Sequence, residues 1–221
     1  MSTNFKIIGH RGVAGYEREN TLTSFQKAID MGLSWVEFDI RLSSDGQPMV
    51  VHDATLSRVF GRRARVDCLS AVAMEDLGVP RLNDVLDLLD RHQVGAYVEI
   101  KSCTQAGLDH ILDRVKQDTS PRIISSFDHG FLRYIRSRDP SVSIQPLFSS
   151  VPFSKPGYLD ALAPVEVGVS IAKLFSAGGR RLLKWGYPVV AYTVNEAPIA
   201  RQAQQVGVVG VFSDYPDLLT G

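Results

Sequence analysis

Two acidic residues sit inside what reads as an apolar strand. In Trp35-Val36-Glu37-Phe38-Asp39-Ile40 the apolar residues mark the strand. Side chains two apart share one face, so Glu37 and Asp39 project side by side. Adjacent carboxylates in apolar surroundings repel each other and lose hydration, and such groups are rarely buried unless paired or bound to a metal. Taken alone, the pair also reads as the polar face of an edge strand. The run Ala96-Tyr97-Val98-Glu99-Ile100-Lys101 repeats the spacing. A Glu99–Lys101 ion pair is the plain reading there, and it leaves Glu37 and Asp39 unneutralised. Two further apolar runs end in chemistry: residues 5–9 lead to His10-Arg11, and residues 49–51 lead to His52-Asp53.

Glu37, Asp39 and Glu99 make an all-oxygen donor set, which suits one hard divalent cation, Mg2+ or Ca2+, better than zinc. A cation beside Arg11, Lys101 and two histidines points to an anionic substrate undergoing acid–base chemistry, and phosphate esters fit best. The metal and Arg11 would neutralise charge on the phosphoryl oxygens. One of His10 and His52 would take a proton from the nucleophile while the other protonates the leaving alkoxide. His92, His110 and His129 read as ordinary loop or core histidines.

These residues must be positioned by the elements around them. After the first strand, Asn20 or Thr21 can cap a helix whose apolar face uses Leu22, Phe25, Ala28 and Ile29, with Gly32 past its end. The strand 35–40 turns at Asp45-Gly46 into a run at 49–52, expected antiparallel beside it. Residues 54–80 are irregular and hold Arg58, Arg62, Arg63 and Arg65. That cluster reads as a solvated loop, with attraction of an anionic ligand as the alternative. Beyond Pro80, helices at 83–91, 105–116, 130–138, 158–162, 177–185 and 198–205 alternate with strands at 96–100, 122–125, 142–147, 166–171, 189–194 and 208–212. Eight alternating units predict an α/β fold, a compact (β/α)8 TIM barrel with one extra strand after strand 2, forming a single domain over 1–221. Such barrels usually take about 250 residues, with about 200 near the lower limit. Function in a barrel sits at the C-terminal ends of strands, where this chain places all seven of its candidate residues.

The 24 basic and 24 acidic side chains balance, which argues against nucleic acid or an anionic membrane surface as partner. The N-terminus lacks the pattern of a secretory signal, and no apolar run approaches the roughly 20 residues of a membrane span. Cys68 and Cys103 fall in no metal or redox spacing, so a reducing, cytoplasmic setting is expected.

Gly9-His10-Arg11-Gly12, Glu19-Asn20-Thr21, Glu37-Phe38-Asp39, Asp45-Gly46, Val50-Val51-His52-Asp53, Glu99-Ile100-Lys101, Tyr192-Thr193-Val194-Asn195 and Ser213-Asp214-Tyr215-Pro216 together resemble the glycerophosphodiester phosphodiesterases over nearly the whole chain. The resemblance implies a TIM barrel and a divalent cation on Glu37, Asp39 and Glu99. It also implies an acid–base pair at His10 and His52, a phosphate-contacting Arg11, and Lys101 close to metal and phosphate. The reaction it implies is hydrolysis of a small-molecule glycerophosphodiester to glycerol 3-phosphate and an alcohol. Lysophospholipase D activity and a catalytically silent phosphate-binding barrel are the alternatives. An amidohydrolase is disfavoured because His-x-His is absent from the first strand. The chain departs from the family pattern at Arg18, where Pro is usual, at Tyr192, where Trp is frequent, and in 54–80, which is a shortened insertion.

Overall fold

The structure, a computed structural model, describes residues 5–219. Its nine strands are β1 (Lys6–Gly9), β2 (Trp35–Leu42), β3 (Pro48–Val50), β4 (Gly95–Ser102), β5 (Arg122–Ser126), β6 (Ile144–Phe148), β7 (Val167–Ser170), β8 (Val189–Tyr192) and β9 (Val208–Ser213). All but β3 run parallel, and β1 pairs with both β2 and β9, so eight strands close into the expected barrel. β1 meets β2 only at Gly9 and Val36. The upper part of that edge is paired instead by β3, antiparallel, with Ile40 opposite Val50 and Leu42 opposite Pro48. The Asp45-Gly46 turn makes this return possible, Gly46 adopting a left-handed φ of 77°.

Alternation along β2 decides which side chains reach the site. Val36, Phe38 and Ile40 point outward and are fully buried under the helices Leu22–Asp30 and Leu82–Arg91. Phe38 meets Phe25 edge-on at 5.7 Å. Burial of each such side chain contributes about 1.5–3 kcal/mol, which locks the register. With that register set, Glu37 and Asp39 must point into the barrel. The interior below them is closed by Ile8, Tyr97, Ile123, Val190 and Phe212. At the far end Lys6 Nζ donates to the Tyr97 hydroxyl at 2.7 Å and to Glu166 Oε2 at 2.8 Å. The barrel is therefore a packed core open at one end only.

Several boundaries differ from the sequence expectation. Of the two candidate caps, Thr21 does the capping, its hydroxyl accepting the Ser24 N–H at 3.3 Å. The strand expected over 166–171 stops at Ser170, and Ile171–Leu174 already coils. The helix expected over 177–185 is α-helical for Ala177–Leu182 and tightens to a 3-10 turn over Leu183–Trp185. Residues 54–80 are more ordered than their composition suggested. They form the short helices Ser57–Phe60 and Ala71–Glu75, and they bury Leu56, Val66, Met74 and Val79 against Met49 of β3 in a small core of their own. Among the described residues, no helix is long and apolar enough to cross a membrane.

The turn after β1 is tight. Arg11 has φ 52° and Gly12 φ 85°, and a Cβ on Gly12 would lie 2.3 Å from Ser24 Oγ. Gly12→Ala combines an unfavourable φ with a clash against helix Leu22–Asp30, and we expect it to lower stability by about 2–4 kcal/mol. Urea unfolding checks this; an unchanged midpoint would contradict the packing described here.

Candidate active site

Glu37, Asp39 and Glu99 are each at most 7% exposed. Asp39 lies in register with Glu99 on the neighbouring strand, and each of the three carboxylates presents an oxygen within 4.8 Å of the others. Burial and then repulsion from Asp39 and Glu99 drive the Glu37 pKa well above the ordinary carboxyl value. Burial and then Asp39 push Glu99 up to about 7. For Asp39, burial acts in the same upward direction, but Lys101 and Arg11 outweigh it and hold the group below its ordinary value.

Lys101 corrects a simple expectation. It reaches Asp39 Oδ1 at 3.1 Å as well as pairing with Glu99, so it bridges two strands rather than neutralising its neighbour alone. Arg11 completes the set through two different groups. Its backbone N–H donates to Glu37 Oε2 at 3.0 Å, and its Nε lies 3.3 Å from Asp39 Oδ2. The left-handed backbone at Arg11 turns that N–H inward. Asn20, also left-handed at φ 57°, donates through Nδ2 to Asp39 Oδ2 at 2.8 Å. Its role is thus to orient a carboxylate, not to cap a helix.

Even with Arg11 and Lys101 in place, Glu37 Oε1 is buried and lacks a hydrogen-bond partner. An orphaned carboxylate oxygen beside two more carboxylates is a donor set with unmet demand for positive charge. The residues present therefore fit a divalent cation, and an all-oxygen set at this spacing could hold one.

The two histidines flank this triad. His10 Nδ1 lies 2.7 Å from Asp214 Oδ1, and His52 Nδ1 lies 2.7 Å from Asp53 Oδ1. Asp53 is held down to about 2, chiefly by its hydrogen bond from Arg58. Asp214 also stays below its ordinary value, because His10 and Asn195 outweigh the effect of its burial. Ionised carboxylates can only accept, so Nδ1 carries the proton in both rings and Nε2 is left for the cavity. Burial pushes the His52 pKa down, against the pull of Asp39, which keeps a neutral imidazole available as a proton acceptor.

Each anchoring carboxylate is itself held. Asn195 donates to Asp214 Oδ2 at 2.9 Å and accepts the Asp214 N–H at 2.9 Å. On the other side Arg58 Nε donates to Asp53 Oδ2 at 2.7 Å, while its two terminal nitrogens each donate to Glu19 at 2.7 Å. Glu19 in turn accepts from Arg11 at 2.8 Å. One chain of contacts thus runs from Arg11 through Glu19, Arg58 and Asp53 to His52. The sequence reads the arginines of 54–80 as a solvated loop, with attraction of an anionic ligand as the alternative; the structure divides the cluster. Arg62 and Arg63 are exposed, Arg65 pairs with Asp67, and Arg58 serves the site. Asp53 and Asp214 carried one sequence signal each, adjacency to His52 and membership of the Ser213-Asp214-Tyr215-Pro216 run. Neither signal shows which histidine a carboxylate will face.

His10, His52, Lys101, Phe127, Tyr192 and Thr193 are among the residues lining the cavity, which holds about 160 Å3. The Tyr192 hydroxyl donates to the Phe148 carbonyl at 3.2 Å, so the ring serves as a wall. Polar groups converge on this mouth from β1, β2, β4 and β9 and from the turn after β3. Six of the seven residues singled out in the sequence line this cavity, and the seventh, Asp39, is buried beside it with an oxygen within 4.8 Å of those of Glu37 and Glu99.

The family model for the glycerophosphoryl diester phosphodiesterase family matches residues 10–218. A glycerophosphodiester phosphodiesterase of Bacillus altitudinis is 26% identical over 244 residues, covering 96% of this chain and 95% of the relative. Among solved structures, an Oleispira antarctica phosphodiesterase in complex with the product sn-glycerol-3-phosphate is 25% identical, with a TM-score of 0.88 over 97% of this chain and 94% of the other. A glycerophosphodiester phosphodiesterase from Thermotoga maritima, also 25% identical, gives a TM-score of 0.81 over 97% and 96%.

A carboxyl held below its ordinary value adds stability above that value and loses it as pH falls through the lowered one. Asp53 therefore contributes above 3.8, and the contribution fades toward about 2. Arg58→Ala removes the main cause and returns Asp53 toward 3.8. We expect unfolding free energy, measured in urea at steps through this window, to fall less steeply with acidification in the variant. Parallel slopes would mean that Arg58 does not hold Asp53 in solution.

Proposed function

The chain belongs to the glycerophosphoryl diester phosphodiesterase family, and from that premise we propose that it hydrolyses glycerophosphodiesters to glycerol 3-phosphate and an alcohol. One observation carries the reading. Two imidazoles, each with Nδ1 engaged by an ionised carboxylate, face one small cavity whose floor is a buried carboxylate triad with unmet demand for a cation.

In this reading His10 and His52 are the acid–base pair. One accepts the proton of the attacking oxygen at Nε2, whether that oxygen belongs to water or to the neighbouring glycerol hydroxyl. The other delivers a proton at Nε2 to the departing alkoxide, and the two must stand on opposite sides of phosphorus. Asp53 and Asp214 fix the tautomer and orientation of each ring and favour the imidazolium formed when its partner takes a proton. Arg11 and Lys101 bind the phosphoryl oxygens, where their charges oppose the negative charge that develops as the bonds exchange. Glu37, Asp39 and Glu99 would hold one divalent cation, Mg2+ or Ca2+, since hard cations select oxygen donors. When bound, it supplies positive charge to the phosphoryl oxygens and relieves the repulsion within the triad. The whole chain, 1–221, acts as one domain, with 54–80 as a shortened insertion that delivers Arg58 to the site. Both cysteines are free thiols, which suits a reducing, cytoplasmic setting.

Purified protein is expected to release glycerol 3-phosphate from glycerophosphocholine or glycerophosphoethanolamine when a divalent cation is present, and to stop when the cation is chelated. His10→Ala and His52→Ala should each lower kcat by roughly 10²–10⁴-fold with the fold retained. Full turnover in excess chelator would remove the cation from the reading, and unchanged rates in both histidine variants would remove the acid–base pair. Divalent cation should also raise the melting temperature of the unaltered protein, a shift that Glu37→Gln should diminish. An equal shift in that variant would place the cation elsewhere.

A further inference from the structure

The cavity between the histidines is only about 160 Å3, against roughly 300–1,000 Å3 for ordinary ligand pockets. It takes a phosphoryl group with a small substituent, so the rest of a diester has to lie outside. Two grooves continue from its rim. One, of about 270 Å3, shares only Thr193 with the cavity. The other, of about 620 Å3, shares both Lys101 and Phe127. It runs from Phe127 past Asp128 and along the start of helix His129–Arg138 to Tyr158.

The chemistry of this second groove is specific. Lys101 Nζ stands 5.6 Å from the Phe127 ring centroid, and Arg133 Cζ stands 5.5 Å from that of Tyr158. Each ring thus already carries one cation on a face, which a quaternary ammonium head group would have to compete with. His129 carries no charge here. Burial pushes its pKa below the ordinary imidazole value, which favours the neutral ring; Nε2 donates to the Leu147 carbonyl at 3.0 Å, and the neutral ring then accepts the Tyr158 hydroxyl at Nδ1, 2.6 Å away.

Arg133 differs from the other arginines of its helix. Arg136 donates to the carbonyls of Leu162 and Ala163, and Arg138 pairs with Asp109. Arg133 is exposed in the groove and has no carboxylate within ion-pairing range among the described residues. The groove's one carboxylate, Asp128, accepts the Gly130 N–H through Oδ1 at 2.8 Å and is not ion-paired with Arg133. The groove therefore offers a guanidinium with no carboxylate partner among the described residues and, separately, a carboxylate.

We infer that this groove is the alcohol-side subsite of the proposed phosphodiesterase, and that Arg133 selects diesters whose alcohol carries an anionic substituent such as a carboxylate. The inference rests on the function proposed above. Asp128 is placed to accept an ammonium on the same alcohol, so a serine-like head group matches both charges and an ethanolamine-like one matches only Asp128.

Glycerophosphoserine and glycerophosphoethanolamine differ only in that carboxylate, and the ratio of their kcat/KM values isolates Arg133. The unaltered protein should favour glycerophosphoserine. Since exposed ion pairs are weak, Arg133→Gln should lower the ratio by roughly two- to fivefold, chiefly through KM, and Arg133→Glu should lower it further. Arg138→Gln, which removes a charge from the same helix outside the groove, should leave the ratio as it was. If the unaltered protein turns over both diesters and Arg133→Gln leaves the ratio unchanged, the subsite is overturned while the phosphodiesterase reading stands. If it turns over neither with divalent cation present, the phosphodiesterase reading fails and the subsite falls with it.

Discussion

Three carboxylates share one buried space at the mouth of the barrel, and much of the surrounding structure answers to their repulsion. Two unit charges 4 Å apart repel by about 4 kcal/mol at an effective dielectric of 20, so a triad without compensation would not stay folded in its ionised form. Compensation comes from elements far apart in sequence. Arg11 contributes both a backbone N–H and a guanidinium from a left-handed turn, Lys101 bridges Asp39 and Glu99, and Asn20 orients Asp39 from the turn before the first helix. The close seat of Gly12 on Ser24 serves the same end, because it fixes the turn that aims Arg11 inward. What these groups leave unmet, seen at Glu37 Oε1, is a demand for positive charge that a bound cation could meet.

The histidines depend on this arrangement at one remove. Arg11 contacts the triad on one side and Glu19 on the other, and Glu19 passes the connection through Arg58 and Asp53 to His52. A charge that neutralises the triad is therefore also a structural neighbour of the network that orients an acid–base candidate. The opposite imidazole is held by a separate set, Asp214 just past β9 and Asn195 after β8. Two anchors of different origin give two rings the same tautomer while leaving their surroundings unequal. That inequality is what a reaction needing one base and one acid requires.

The segment between β3 and helix Leu82–Arg91 shows why composition is a poor guide to role. Its four arginines are chemically alike, yet one is drawn to the mouth and three stay outside. The small core of Leu56, Val66, Met74 and Val79 against Met49 makes the difference. It holds the helix Ser57–Phe60 in place, and with it Arg58. The same logic applies on the far side of the mouth. Arg133 stands apart from Arg136 and Arg138 because helix His129–Arg138 turns it toward the groove and the other two toward partners.

The sequence by itself determined the alternation of strands and helices, the inward face of β2 and β4, and hence that Glu37, Asp39, Glu99, Lys101, His10, Arg11 and His52 would meet at one end of a barrel. Period-two patterning and strand-end position are local properties, legible without coordinates. Family resemblance sharpened their roles because its motifs lie on those same strand ends. Only the tertiary structure decided which partner each side chain takes. It sent Lys101 to two carboxylates instead of one and Asn20 to Asp39 instead of a helix end. It divided the arginine cluster, and it assigned Asp214 to His10 across a separation of 204 residues. Such pairings depend on barrel closure, which brings the first strand beside the last, and on burial, which makes an unpaired charge costly enough to choose a partner. Both are properties of the closed fold, and neither is carried by any short stretch of the chain.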